Sequence, residues 1–229
     1  MNKLIISTLC LAVLAGCHNS GIRGYWDNAP LLDDDIAVSE DRFAIFAELT
    51  TKASPEDALI EMDNLFNHLS ENEVAYYLYP EWLDGAFYSI YSPCRNFSLY
   101  SRAVERIVSD GILPMDECEQ YIRRRDWFSY NLVGDKATVP SYVPDGRRTL
   151  FMVLDLGCSS CRQALEAMGS RKDVRKVAIG LGRGPVPETP DWEFILSQDL
   201  DAIFDIHQTP AYFIVSEYGD VETTYTPVL

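Results

Sequence analysis

At 229 residues the chain can hold one large domain or two small ones, and a hydrophobic content of 47% is ample for a core. Its formal charge of −16 argues against nucleic acid as a partner, because phosphate binding needs a basic face. It suggests a soluble acidic surface and nothing more specific.

Taken in chain order, Lys3 supplies one positive charge and residues 4–15 form an apolar segment too short to span a bilayer. The segment ends in Leu14-Ala15-Gly16-Cys17: an apolar residue, two small ones and a cysteine. This quartet resembles the lipobox of bacterial lipoproteins; the competing reading is an ordinary signal peptide with a coincidental cysteine. The resemblance implies that residues 1–16 are a signal peptide, that Cys17 carries a diacylglycerol, and that the membrane is a partner through this lipid anchor. His18-Asn19 offers no Asp at the second mature position. That favours the outer membrane of a Gram-negative envelope, with the globular part in the periplasm. With Cys10 removed and Cys17 acylated, Cys94, Cys118, Cys158 and Cys161 remain, an even count that allows two bridges in an oxidising compartment.

Residues 17–38, with Gly21, Gly24, Pro30 and the acidic run Asp33-Asp34-Asp35, read as a tether with a solvated patch. Over 39–131 the periodicity is that of an all-α region. Ser39-Glu40-Asp41 opens one helix carrying Phe43, Phe46, Ala47 and Leu49. Ser54-Pro55-Glu56-Asp57 is a start signal with cap, proline and two acids; Leu59, Met62, Phe66 and Leu69 follow as one stripe. Further helices are expected over 82–91, over 97–108 and from Pro114 to about Phe128. The aromatics between Tyr76 and Tyr91 read as core, and Arg123-Arg124-Arg125 as a complement to a helix end and to nearby carboxylates. Cys94 lies in a turn and Cys118 on a helix. A structural disulfide between them would contribute on the order of 3 kcal/mol; the alternative is two buried free thiols.

The boundary falls near Asn131, and 132–229 changes character. Residues 134–146 are extended and turn-rich, consistent with an edge strand. Residues 150–156 are a buried strand, broken by Gly157 and followed by Cys158-Ser159-Ser160-Cys161 and a helix-forming run. Cys158 thus sits at a helix N-terminus, where unpaired N–H groups and the helix dipole favour a thiolate, and Cys161 is placed to resolve a mixed disulfide. A lone CxxC could also be half a zinc site or a structural bridge, but no second CxxC or CxxH completes a tetrahedral set. Residues 174–181 form a second strand. Thr189-Pro190-Asp191 starts a helix over Trp192 to Leu196. Thr209-Pro210 precedes a strand over 211–215, and Tyr218-Gly219-Asp220 turns the chain into a last strand over 221–225.

This order of strand, CxxC, helix, strand, helix, Thr-Pro, strand, hairpin and strand resembles the thioredoxin-like domain of the membrane-facing TlpA/ResA type over about residues 132–229. The expected fold class is therefore α/β, a thioredoxin-like C-terminal domain with a central mixed sheet preceded by an all-α region. The resemblance implies Cys158 as attacking and Cys161 as resolving cysteine, and a cis bond before Pro210. It further implies a Thr209 backbone that pairs with extended substrate, and no cofactor or metal beyond the redox pair. Its partners would be envelope proteins with cysteines or disulfides and a membrane or periplasmic redox protein. Ser159 and Ser160 are expected to tune the potential. Three departures stand out: Gly157 replaces the usual aromatic, Met152 replaces a buried acid, and no last helix follows, so the helical region is expected to cover one sheet face. Asp155 either substitutes for that acid or is an ordinary polar position. The leading expectation is a thiol–disulfide oxidoreductase; the rival is a non-catalytic scaffold with a static Cys158–Cys161 bridge. A peroxidase fits the CxxC less well, and His207 is a lone histidine beside the site.

Overall fold

The computed structural model describes residues 21–228. The expected signal peptide and the expected lipidation site, Cys17, lie outside them. Local signals explain most of the helical region. Helix α3 (Pro55–Leu69) starts where its cap demands: the Ser54 side chain accepts from the Asp57 N–H, and Glu56 and Asp57 fill the first turn. Helices α5 (Phe97–Asp110) and α6 (Met115–Ser129) follow the expected spans, α5 ending on Gly111 at φ 65°.

The expected tether is corrected from residue 21 onward. Ile22 is fully buried and Trp26 nearly so, in the same core as Phe46, Met62 and Leu65. The short helix α1 (Tyr25–Asn28) is held by the buried Glu61 of α3, which accepts from the N–H groups of Gly24 (2.9 Å) and Trp26 (3.0 Å). Helix α2 (Ile36–Thr50) begins before Ser39, because Asp35, the last of the acidic run, accepts from the Ala37 N–H. Ser39 instead turns inward and accepts from the Asp33 N–H. The helix expected over 82–91 is also displaced. Helix α4 (Glu73–Leu83) is capped by Asn72 and gives way to a π-turn, Asp84–Tyr88. Arg124 reaches back to Asp84 of that turn at 3.2 Å.

A five-stranded mixed sheet makes up the rest, in the order β3-β2-β1-β4-β5. Strand β1 (Thr149–Asp155) pairs parallel with β2 (Arg175–Leu181) and antiparallel with β4 (Ala211–Val215). Period-two alternation sorts the side chains. Leu150, Met152 and Leu154 face Ala164 and Leu165 of helix α7 (Ser159–Gly169), while Phe151 and Val153 face the opposite side with Val177, Ile179 and Phe213. Phe151 stacks on Phe213 at 5.0 Å between ring centroids. Both faces are buried, which is why β1 reads as an unbroken apolar run.

Three expectations fail at the sheet edges. The helix over 192–196 is instead the edge strand β3 (Glu193–Ile195), parallel to β2, so 182–192 is a loop crossover. Residues 134–146 form no strand; Lys136 makes one isolated bridge to Asp220. The last strand is β5 (Thr226–Pro227) against β4, with Val221 contributing only a bridge to Val215. The face opposite α7 is covered by Leu200 and Phe204 from the 3-10 segment Gln198–Ala202 and its continuation. The helical region packs against that cover: Trp127 Nε1 donates to the Asp201 carbonyl at 2.9 Å, and Arg95 donates to Thr224 Oγ1 at 2.9 Å. The seam leaves about 20 Å³ of free space, room for about one water.

Candidate active site at the start of α7

Cys158 is the N-cap of α7, with extended backbone (φ −92°, ψ 127°), and Ser159 is the first helical residue. Its sulfur is partly exposed and lies 2.9 Å from Ser160 Oγ. That hydroxyl donates to the thiolate, the Cys161 and Ser160 N–H groups point at it, and together they hold the Cys158 pKa below the ordinary thiol value. Cys161, one turn in, is fully buried, and burial pushes its thiol up to about 11. The two sulfurs of one motif are therefore driven in opposite directions, one toward the anion and one toward the proton. Of the two serines expected to act on the sulfur, Ser160 makes the contact; Ser159 opens the helix and is exposed.

The Thr209-Pro210 peptide bond is cis. Thr209 Oγ1 donates to the Ile206 carbonyl at 2.7 Å, and the Thr209 side chain is near enough to Cys161 to work against the effect of burial on its thiol. The fold thus brings Cys158, Cys161, Thr209 and Pro210 to one place. Asp155 is an ordinary turn carboxylate. Its Oδ1 accepts from the Gly157 N–H at 2.8 Å, and only its backbone reaches Cys161. Met152, at the position of the missing acid, is buried among apolar neighbours on the α7 face.

The Cys94–Cys118 bridge is a correction: both thiols are free. Cys94 precedes the N-terminus of α5, whereas Cys118 Sγ lies 3.9 Å from the Ile107 carbonyl near the other end of that helix. Ten helical residues separate the two ends by about 15 Å, well beyond the Cα separation of up to about 7 Å that a disulfide tolerates. His207 serves through its backbone N–H, which donates to Asp205 Oδ1 at 2.8 Å. Among the described residues no three His, Cys, Asp or Glu side chains gather into a metal-binding group.

Sequence reasoning marks residues 182–187 as a loop but gives it no part in the site. A Cβ on Gly184 would lie 2.5 Å from the Leu156 carbonyl oxygen, and one on Gly182 (φ 68°) would lie 2.9 Å from Asp155 Oδ1. Both glycines let the crossover loop pass against the residues leading into Cys158. The Gly-Arg-Gly-Pro pattern was their only trace in the sequence.

A mixed sheet with a CxxC helix on one face and a cis-proline strand beside it is a thioredoxin-like fold. In keeping with this, the crystal structure of a thioredoxin-like protein from Bacteroides caccae ATCC 43185 matches with a TM-score of 0.69, over 98% of this chain and 94% of that one, at 14% sequence identity. The match is not confined to the sheet; its coverage takes in the helical region as well. No family model matches the sequence, and neither does any curated protein.

Proposed function

We propose that this protein is a lipid-anchored thiol–disulfide oxidoreductase of the bacterial cell envelope, of the TlpA/ResA type, working through Cys158 and Cys161. The observation that carries the reading is the split between the two thiols: one partly exposed and stabilised as an anion, the other buried and held protonated. Such a pair favours attack from one sulfur only.

In the reducing direction the Cys158 thiolate attacks a substrate disulfide, forming a mixed disulfide and releasing one substrate thiolate. Cys161 then loses its proton and attacks Cys158 Sγ. The second substrate thiol leaves, and two electrons have passed to the substrate while the chain's own disulfide forms. The oxidising direction reverses each step. Thr209, near Cys161 and next to Pro210, stands where an extended polypeptide would lie along its backbone. Regeneration calls for a membrane or periplasmic redox protein, and a diacylglycerol on Cys17 would keep the enzyme at the membrane.

Trapping tests the order of events. Cys161→Ser should accumulate mixed disulfides with envelope proteins, and Cys158→Ser should accumulate none. Equal trapping by both variants, or by neither, would overturn the assignment; so would a purified wild-type protein unable to exchange with glutathione disulfide, which would leave a scaffold with a static pair.

A further inference from the structure

Two of the hydrogen bonds between the helical region and the sheet region fall on the short segment that leads into Pro210. The π-turn ends at Tyr88, whose hydroxyl donates to the buried Asp205 Oδ2 at 2.8 Å. Asp205 Oδ1 caps the 3-10 turn Ile206–Gln208 by accepting from the His207 N–H. Two residues beyond the π-turn, the Ile90 N–H donates to Gln208 Oε1 at 2.8 Å. Thr209 follows directly, joined to Pro210 and near Cys161. Behind Tyr88, Tyr100 stacks at 5.1 Å and donates to Asp84 Oδ1 at 2.7 Å, while Arg95 donates to the Tyr88 carbonyl at 3.0 Å. The π-turn is thus fixed from its own side before it reaches across. Asp205 would otherwise be a buried carboxylate oxygen without a donor, a costly state.

We infer that the helical region is a clamp on the substrate-pairing loop, with Tyr88 and Gln208 as positioning residues that hold Thr209 and Pro210 in register beside Cys158 and Cys161. This deepens the oxidoreductase reading and rests on it. A π-turn in place of one more α-helical turn changes which side chain points across the seam, and such turns recur at functional sites. The sequence reaches across with Tyr88.

The test uses the full-length protein and two disulfide probes: a disulfide-bonded peptide long enough to lie along Thr209, and 5,5′-dithiobis(2-nitrobenzoate), which is too small to do so. Tyr88→Phe and Gln208→Ala should each raise KM for the peptide several-fold while the rate with the small probe and the Cys158 titration stay unchanged. Amide exchange at Ile90 and His207 should accelerate about tenfold, the scale of one lost buried hydrogen bond. Gln208→Glu keeps an acceptor for the Ile90 N–H and should restore both readouts. Faster exchange with an unchanged peptide KM would make the ties merely structural and overturn the inference. Loss of reaction with the small probe even in wild-type protein would instead sink the oxidoreductase reading itself.

Discussion

Ser160→Ala offers the sharpest test of how the site makes a nucleophile. The Ser160 hydroxyl is the largest single influence lowering the Cys158 pKa, at 2.9 Å from the sulfur. A hydrogen bond to a charged group contributes about 1.5–3 kcal/mol; Cys158 is partly exposed, so the lower figure applies. Removal should therefore destabilise the thiolate by about 1.5 kcal/mol and move the Cys158 midpoint upward. Iodoacetamide alkylation of Cys158 in the reduced protein, followed by mass spectrometry from pH 4 to 10, reads that midpoint directly. Ser159→Ala, at the exposed first helical position, should leave it in place. An unmoved midpoint in Ser160→Ala, or an equal shift in Ser159→Ala, would refute the assignment of the hydroxyl and leave the helix-end N–H groups as the cause.

Cys161 gives a pH dependence of the opposite kind. Its folded pKa is raised to about 11 from an ordinary 9.0, so its contribution to stability is complete below the unfolded value and lost as pH climbs from about 9 to about 11. Reduced protein should therefore lose on the order of 2 kcal/mol more than oxidised protein across that window, measured by urea unfolding; identical losses would remove the buried thiol from the account. Gly184→Ala should cost about 1–3 kcal/mol, because its Cβ meets backbone at Leu156, and should slow alkylation of Cys158. A fully stable, fully reactive variant would contradict that contact. After oxidation with glutathione disulfide, peptide mapping should find Cys158 joined to Cys161 and Cys94 and Cys118 still alkylatable on denaturation. A 94–118 bridge would refute the separation along α5.

Elements defined by their own residues were legible. Ser54-Pro55 fixed the start of α3, and the apolar run before Gly157 gave β1 and placed the two cysteines at the mouth of α7. What depended on distant partners was not. Thr189-Pro190-Asp191 is a sound helix start, yet 193–195 forms a strand because β2 offers an open edge to it. Ile22 and Trp26 sit in a polar, glycine-bearing stretch, and what buries them lies far along the chain: Phe46, Met62 and Leu65 pack around them while Glu61 holds the backbone at Gly24 and Trp26. Counting thiols in an oxidising compartment suggested a pair for Cys94, which the length of α5 rules out. The site's chemistry was carried by a local motif and was readable; of its supports, Tyr88 and Gln208 come from segments whose sequence gives no local sign of the contact, and Gly182 and Gly184 show only as a Gly-Arg-Gly-Pro loop.

On the proposed anchoring, the docking of Ile22 and Trp26 would also limit how far this protein can stray. Were Cys17 acylated as proposed, five residues along the chain would separate the lipid from the buried Ile22, a covalent reach of at most about 18 Å. On the proposed acylation of Cys17, the reactive sulfur would patrol a thin layer above the bilayer rather than the width of the periplasm, and its clients would have to come to that surface to be met.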